Sequence, residues 1–173
     1  MTRRQWSGPA ERQLASEFTL REATQDDCPG LAKLMQLTFG AEWDEAKVGE
    51  ELLRNPNVPM TFVIEQSGVI VAGASYQIKA DWPGAGWIHY VAASPAFAGR
   101  GLGYAVSLRV IQESLGRGDE YQMLTTDDWR LPAIATYLKL GFEPDCWHES
   151  HLERWAVVKD GLRSTQPPQF RAK

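Results

Sequence analysis

The sequence has little cysteine, no block of like charges and no apolar run that could cross a bilayer, and each absence removes a class of protein. Its two cysteines, Cys28 and Cys146, stand far apart and form no Cys-x-x-Cys pair. Neither a disulfide scaffold nor a zinc ribbon is suggested, and a reducing, cytoplasmic setting fits. The net charge is -4, with no stretch rich in Lys or Arg. That argues against nucleic acid or an anionic membrane as the main partner. The apolar run from Val69 to Ala74 falls far short of the roughly 20 residues a membrane helix needs. Arg3-Arg4 imitates the start of a twin-arginine export signal, but Gln5 to Glu17 supply no apolar segment behind it.

What remains is a chain of 173 residues, 43% hydrophobic and 23% charged, enough for one domain with a full core. Met1 to Glu17 is polar and weakly patterned and reads as a mobile extension; residues 18–163 read as the domain, and residues 164–173, with Gln166-Pro167-Pro168-Gln169, as a tail. Phe18 to Arg21 forms a short strand. Asp26-Asp27 before Pro29 resembles a helix start, with Leu31, Leu34 and Met35 on the buried face. A second helix is predicted over Asp44 to Arg54, from Val48 and Leu52. Met60 to Glu65 and Val69 to Ile78 flank Gln66-Ser67-Gly68 as a hairpin. Trp87 to Ala93 is rich in β-branched and aromatic residues and reads as a strand that Ser94-Pro95 ends. Leu102, Val106 and Val110 recur at helical spacing. Tyr121 to Thr125 and Asp145 to Glu149 read as strands, whereas Leu152 to Val158 has helical spacing. The order implies a mixed α/β sheet.

Between the strand ending at Ala93 and the helix starting near Leu102 lies Ala98-Gly99-Arg100-Gly101-Leu102-Gly103-Tyr104, with three glycines at alternate positions. At a helix N-terminus the first amides lack intrahelical partners and the macrodipole favours negative charge, so a phosphate can lie against bare backbone. Arg100 adds a charged donor at the rim. The P-loop ending Gly-Lys-Ser/Thr is missing, and both ways of counting a dinucleotide fingerprint fail, at Tyr104 and at Val106. Asp127 could imitate the ribose-binding acid of a dinucleotide fold, which keeps a nucleotide-dependent enzyme as a distant competitor.

A second segment, Arg130-Leu131-Pro132-Ala133-Ile134-Ala135-Thr136-Tyr137-Leu138-Lys139-Leu140-Gly141-Phe142, decides between these. Together with the glycine loop it resembles the GNAT superfamily of acyl-CoA-dependent N-acetyltransferases. Ala98, Gly101 and Gly103 take that family's loop positions, and Ala133, Ile134, Tyr137, Lys139, Gly141 and Phe142 its helix positions. The resemblance runs over about Phe18 to Phe142, most strongly in the second half. It departs at Ala98, where the family usually has Gln or Arg, and at Arg130, where Asn is frequent. The resemblance implies the GNAT fold: a mixed, mostly antiparallel central sheet with helices on both faces. The family usually ends with two more strands, so the helical spacing of Leu152 to Val158 predicts an atypical C-terminal edge.

It further implies acetyl-CoA as co-substrate, no metal, and a primary amine of a small molecule or peptide as acceptor, attacked directly in a ternary complex. The cofactor would lie against Ala98, Gly99, Arg100, Gly101, Leu102, Gly103 and Tyr104, with its pantetheine arm along the backbone of Val91, Ala92 and Ala93. Tyr137 matches the position whose hydroxyl protonates the departing thiolate. Trp87 stands where the family often has Glu. His89, two residues on and on the same strand face, is the candidate base, with an ordinary pKa of about 6.5. Cys146, His148 and His151 have zinc-compatible side chains but no identified fourth ligand. Among the seven tryptophans, Trp43, Trp82, Trp129 and Trp147 fall in predicted loops or element ends. There, with His148, they could wall an acceptor cleft or mark a homodimer interface. A non-catalytic acyl-CoA-binding module is the alternative, favoured by the missing Glu and the lost Gln/Arg.

Overall fold

The computed structural model describes residues 1–4 and 13–164. Strands β1 (Thr2–Arg3), β2 (Thr19–Glu22), β3 (Met60–Gln66), β4 (Val69–Gln77), β5 (Ala85–Ala93) and β6 (Tyr121–Met123) form one sheet in the order β1-β6-β5-β4-β3-β2. Every neighbouring pair is antiparallel except β5 with β6. Helices α1 (Cys28–Phe39) and α2 (Glu45–Val48) cover one face, where Leu31, Leu34, Met35, Val48 and Leu52 pack on Val63 and Ala92. On the other face α3 (Leu102–Gly116) and α4 (Leu131–Lys139) place Val106, Ile111 and Tyr137 against Phe62, Ile64 and Ile88. Phe62 and Ile64 point one way and Val63 the other, as the two-residue period of a strand requires. No helix among the described residues is long and apolar enough to cross a membrane.

The local chemistry accounts for most boundaries. Asp44 caps α2 by accepting from the Lys47 amide at 2.8 Å, and the helix widens into a π-turn over Gly49–Leu53 before Asn55-Pro56. Gln66 pairs with Val69 across a two-residue turn in which Ser67 and Gly68 have φ of 50° and 79°. That turn's twist matches the flanking strands.

Two sequence expectations fail at the ends. Thr2–Arg3 is not part of an extension but an edge strand on β6. The Met1 ammonium donates to Leu124 O at 2.9 Å, and the buried Arg3 guanidinium donates to Leu140 O at 2.9 Å and to Gln122 Oε1 at 3.2 Å. The unpaired edge of β6 draws these residues in, since exposed strand amides and carbonyls seek partners. Residues 5–12 of the expected extension, and 165–173 of the tail, lie outside the described residues. Asp145 to Glu149 forms no strand; the chain instead enters α5 (Glu149–Ser164), which includes the helical spacing seen at Leu152 to Val158. α5 docks through Val158 and lays Gly161 against Leu131 of α4.

Candidate active site

β5 and β6 pair only from Ala85–Tyr121 to Trp87–Met123. Beyond that point β5 runs on to Ala93 while the chain after β6 turns away toward α4. A cavity of about 770 Å³ opens in the gap, within the size range of small-molecule sites. Val91 and Ala93 form one wall, the glycine turn a second, and Arg130, Thr136, Tyr137 and Lys139 a third; Leu37 and Thr38 close it from the last turn of α1. Arg130 and Lys139 are the charged residues of this lining, and no carboxylate accompanies them.

A bulge decides which side chains of β5 face this space. Ser75 pairs with His89 but Gly73 with Ala92, so Tyr90 and Val91 together oppose Ala74, and Tyr90 has a φ of 46°. For a bulky residue that is an uncommon, costly conformation, held here by Tyr90's ring packing on Trp43 at 4.6 Å and on Phe39 at 5.5 Å. The extra residue reverses the alternation. Trp87 and His89 face the α1 side; Val91 and Ala93 are turned to the cavity, and Ala92 is buried under α1.

Gly99 and Gly101 both have φ of 78°, and Gly101 is the left-handed N-cap of α3. The first intrahelical bond of the turn runs from the Ala105 amide to Gly101 O at 3.0 Å. The amides of Leu102, Gly103 and Tyr104 precede it and are left for a ligand. A Cβ built on Gly99 or Gly103 would meet nothing within 4 Å; it would stand in the space beside those amides. Bare amides, the helix dipole and a cationic lining together suit a phosphate or pyrophosphate.

Tyr137 lies on α4 among the residues that line the cavity, its ring 6.2 Å from Phe142 at 68° and its hydroxyl without a hydrogen-bond partner among the described residues. Burial pushes its pKa up to about 12, against a smaller opposing pull from Arg130. It therefore stays a neutral O–H donor at neutral pH. His89 does not line the cavity, and its Nε2 is buried without a partner among the described residues. Burial, then the charge of Lys79, lower its pKa to about 4, so the sequence expectation of an imidazole titrating near neutrality is corrected. Unfolded chains take up this proton below about pH 6.5 and the folded protein only near 4. Stability should therefore fall as pH drops through that window. For a partly solvated ring the loss is at most roughly 3 kcal/mol. Denaturant melts of the parent and of H89Q between pH 7.5 and 4.5 should show this slope in the parent and lose it in the variant.

The remaining sequence candidates separate. Ala98, Leu102, Gly103 and Tyr104 line the cavity with Gly99, Gly101 and Trp129. Arg100 does not: its guanidinium pairs with Glu17 and sits over Phe18. Trp43 is a core residue, 2% exposed, so it walls no cleft. Trp82 is half-exposed and packs on Trp87 at 6.0 Å, while Trp147 and His148 lie at the exposed start of α5, outside the lining. His148 and His151 meet the Trp147 ring edge-on, and among the described residues no group of three or more His, Cys, Asp or Glu is placed to hold a metal. Asp127 and Asp128 are engaged by Arg130 and Arg154. Lys139, one of the family's helix positions, joins the lining, and so do Leu37 and Thr38, which carry no local sequence signal for it because a helix C-terminus enters a site only through tertiary packing.

The profile of the acetyltransferase (GNAT) family matches residues 28–142. No curated protein sequence matches the chain significantly. Among solved structures, the ribosomal-protein-S18-alanine N-acetyltransferase from Escherichia coli is 23% identical, with 74% of this chain and 79% of that one covered and a TM-score of 0.63. AAC(6')-Iy, solved with the bisubstrate analogue CoA-S-monomethyl-acetylneamine, is 20% identical over 75% of this chain and 92% of that one, with a TM-score of 0.64. An acetyltransferase from Trypanosoma brucei is 26% identical over 74% and 94%, with a TM-score of 0.58.

Proposed function

This chain belongs to the acetyltransferase (GNAT) family, and on that premise we propose that it moves an acetyl group from acetyl-CoA to a primary amine of a small molecule or peptide, by direct attack within a ternary complex. The observation that carries this reading is the single cavity that joins the open amides of the glycine turn, the unpaired edge of β5 and the free hydroxyl of Tyr137. The co-substrate's pyrophosphate would lie on the amides of Leu102, Gly103 and Tyr104, with Lys139 and Arg130 supplying positive charge. Its extended arm would lie along Val91 to Ala93, whose backbone on that edge has no strand beside it. A backbone amide there would also polarise the thioester oxygen.

The amine nitrogen attacks the carbonyl carbon, the new C–N bond forms, and the C–S bond breaks. Tyr137 gives its proton to the leaving sulfur and is reprotonated from solvent. The attacking nitrogen loses its own proton after it has bonded to carbon, when it is far more acidic than a free ammonium. That proton passes to water, His89 being buried outside the cavity lining. Because His89 stays neutral above about pH 4, kcat/KM should rise with pH through the ionisation of the acceptor amine and not near 6.5. Comparing acceptors of different amine pKa checks this: the limb should move with the amine.

The reading is tested by titration calorimetry with acetyl-CoA, CoA and NAD, followed by thiol release over polyamines, aminoglycosides, amino acids and peptide N-termini. Binding of both CoA forms without NAD, with release of CoA on at least one amine, is the expected result. Binding of acetyl-CoA without release on any amine would instead identify an acyl-CoA-binding module.

A further inference from the structure

The cavity is lined by helices from both faces of the sheet. The glycine turn at the start of α3 belongs to one face; Leu37 and Thr38, in the last turn of α1, belong to the other. A co-substrate whose pyrophosphate lies on the turn comes in from the α3 side, which leaves the α1 side for the acceptor. The rim there is apolar. Leu37 is 66% exposed and Trp129, in the loop before α4, is 72% exposed, and both line the cavity. The last turn of α1 and this loop meet across Arg130, whose guanidinium carbon lies 4.9 Å from the centre of the Phe39 ring and 4.7 Å from that of Trp129. Large apolar side chains left in water on two walls of one cavity gain when a ligand covers them.

The polar groups around this rim are already engaged. Thr38 donates to Leu34 O at 3.0 Å and Thr136 to Pro132 O at 2.9 Å, so both spend their hydrogens on their own helices. Asp127 binds Arg130 at 3.0 Å, and Asp128 binds Arg154 of α5 through both oxygens, at 2.7 and 3.0 Å. Glu42 lies over Gly40, outside the lining. No carboxylate lines the cavity, whereas Arg130 and Lys139 do. A polycation would meet like charge with no free acid to offset it, and a polyol would leave hydroxyls short of partners. A single ammonium group is suited, because α1 ends here and the negative end of its dipole favours one cation.

We propose that Leu37 and Trp129 form an acceptor subsite for a small primary monoamine with an aromatic or alkyl body, in preference to polyamines and aminoglycosides. The body lies on the Trp129 indole and against Leu37, and the amine continues inward past Thr38 to the thioester. This inference rests on the reading of the cavity as an acetyl-transfer site, but its test separates the two.

A set of primary amines supplies that test: ethylamine, butylamine, hexylamine and phenethylamine against ethanolamine, putrescine, spermidine and neamine. Binding to the CoA-loaded protein is followed by calorimetry, and turnover by thiol release from acetyl-CoA. In the parent, hexylamine and phenethylamine should bind at least about tenfold more tightly than ethylamine, ethanolamine or the polycations, and show the highest kcat/KM. W129A should raise KM for phenethylamine about tenfold with the affinity for acetyl-CoA unchanged, while W129F, which keeps an aromatic face, should retain most of the preference. L37E, at an exposed position outside the core, should turn the preference toward putrescine. Equal binding across the set, tighter binding of the polyamines or neamine, or a preference that survives in both W129A and L37E would overturn the subsite. So would a W129A protein that loses acetyl-CoA affinity as much as acceptor affinity, since Trp129 would then belong to the co-substrate. Acetyl transfer to the polar amines alone would overturn the subsite and keep the transfer reading. Preferential binding of the apolar amines with no acetyl transfer to any amine would leave the subsite standing and defeat that reading.

Discussion

Replacing Gly103 with aspartate is expected to weaken acetyl-CoA binding on the order of a hundredfold, about 2.7 kcal/mol, while leaving the protein as stable as the parent or slightly more so. The two effects part because of where this glycine sits. A Cβ there meets nothing within 4 Å, and Gly103 is the second residue of α3. An acid in the first helical turn stabilises the free protein by a few tenths of a kcal/mol through the macrodipole. The same carboxylate would stand where the pyrophosphate belongs and repel it. Gly101 makes a poorer probe, because at a φ of 78° any larger side chain strains the fold as well as the site. Calorimetric titration with acetyl-CoA, paired with a thermal melt of the same sample, reads both quantities. Unchanged affinity in a folded G103D protein would remove the phosphate from this turn.

Tyr137→Phe should lower kcat by roughly a hundredfold to ten-thousandfold with acetyl-CoA affinity nearly unchanged, the usual contribution of a general acid. The substitution leaves the packing intact. The phenyl ring keeps its edge contact with Phe142, and the hydroxyl has no partner among the described residues to be orphaned by its loss. Stability should therefore shift by less than about 0.5 kcal/mol. A variant that is destabilised yet fully active would make Tyr137 a core residue only.

Local signals were the legible part of this protein. The glycine spacing from Gly99 to Gly103 marked a helix start with open amides, because glycine's backbone freedom and the unpaired first turn are properties of a short segment. The hairpin at Ser67-Gly68 and the helical spacing of Leu152 to Val158 were readable for the same reason. Strand pairing at the edges was not. Thr2–Arg3 carries no pattern of its own and becomes a strand only because β6 offers a free edge. Asp145 to Glu149 has strand-like residues but finds no edge to join.

The site was legible to a similar depth. Tyr137 and the glycine turn come together across about 35 residues because both sit on helix elements that the family motif marks. The bulge at Tyr90 could not be read, since nothing in Tyr90-Val91 announces an extra residue. It is that residue which sends Val91 to the cavity and leaves His89 on the α1 side. Trp43 shows the reverse failure: a tryptophan next to a loop looks exposed in sequence, yet its ring fills the space between Phe39 and Tyr90. Arg100 looks like a phosphate donor until Glu17, distant in sequence, is placed beside it.

The central claim is that one cavity both holds acetyl-CoA and transfers its acetyl group, and initial rates of CoA release against acetyl-CoA concentration test it most directly in the parent, G103D and Y137F. The account predicts a raised KM in G103D whose defect saturating acetyl-CoA largely restores, and a lowered kcat in Y137F that no concentration restores. Identical loss of kcat in both variants, or parent-like rates in either while it remains folded, would contradict it.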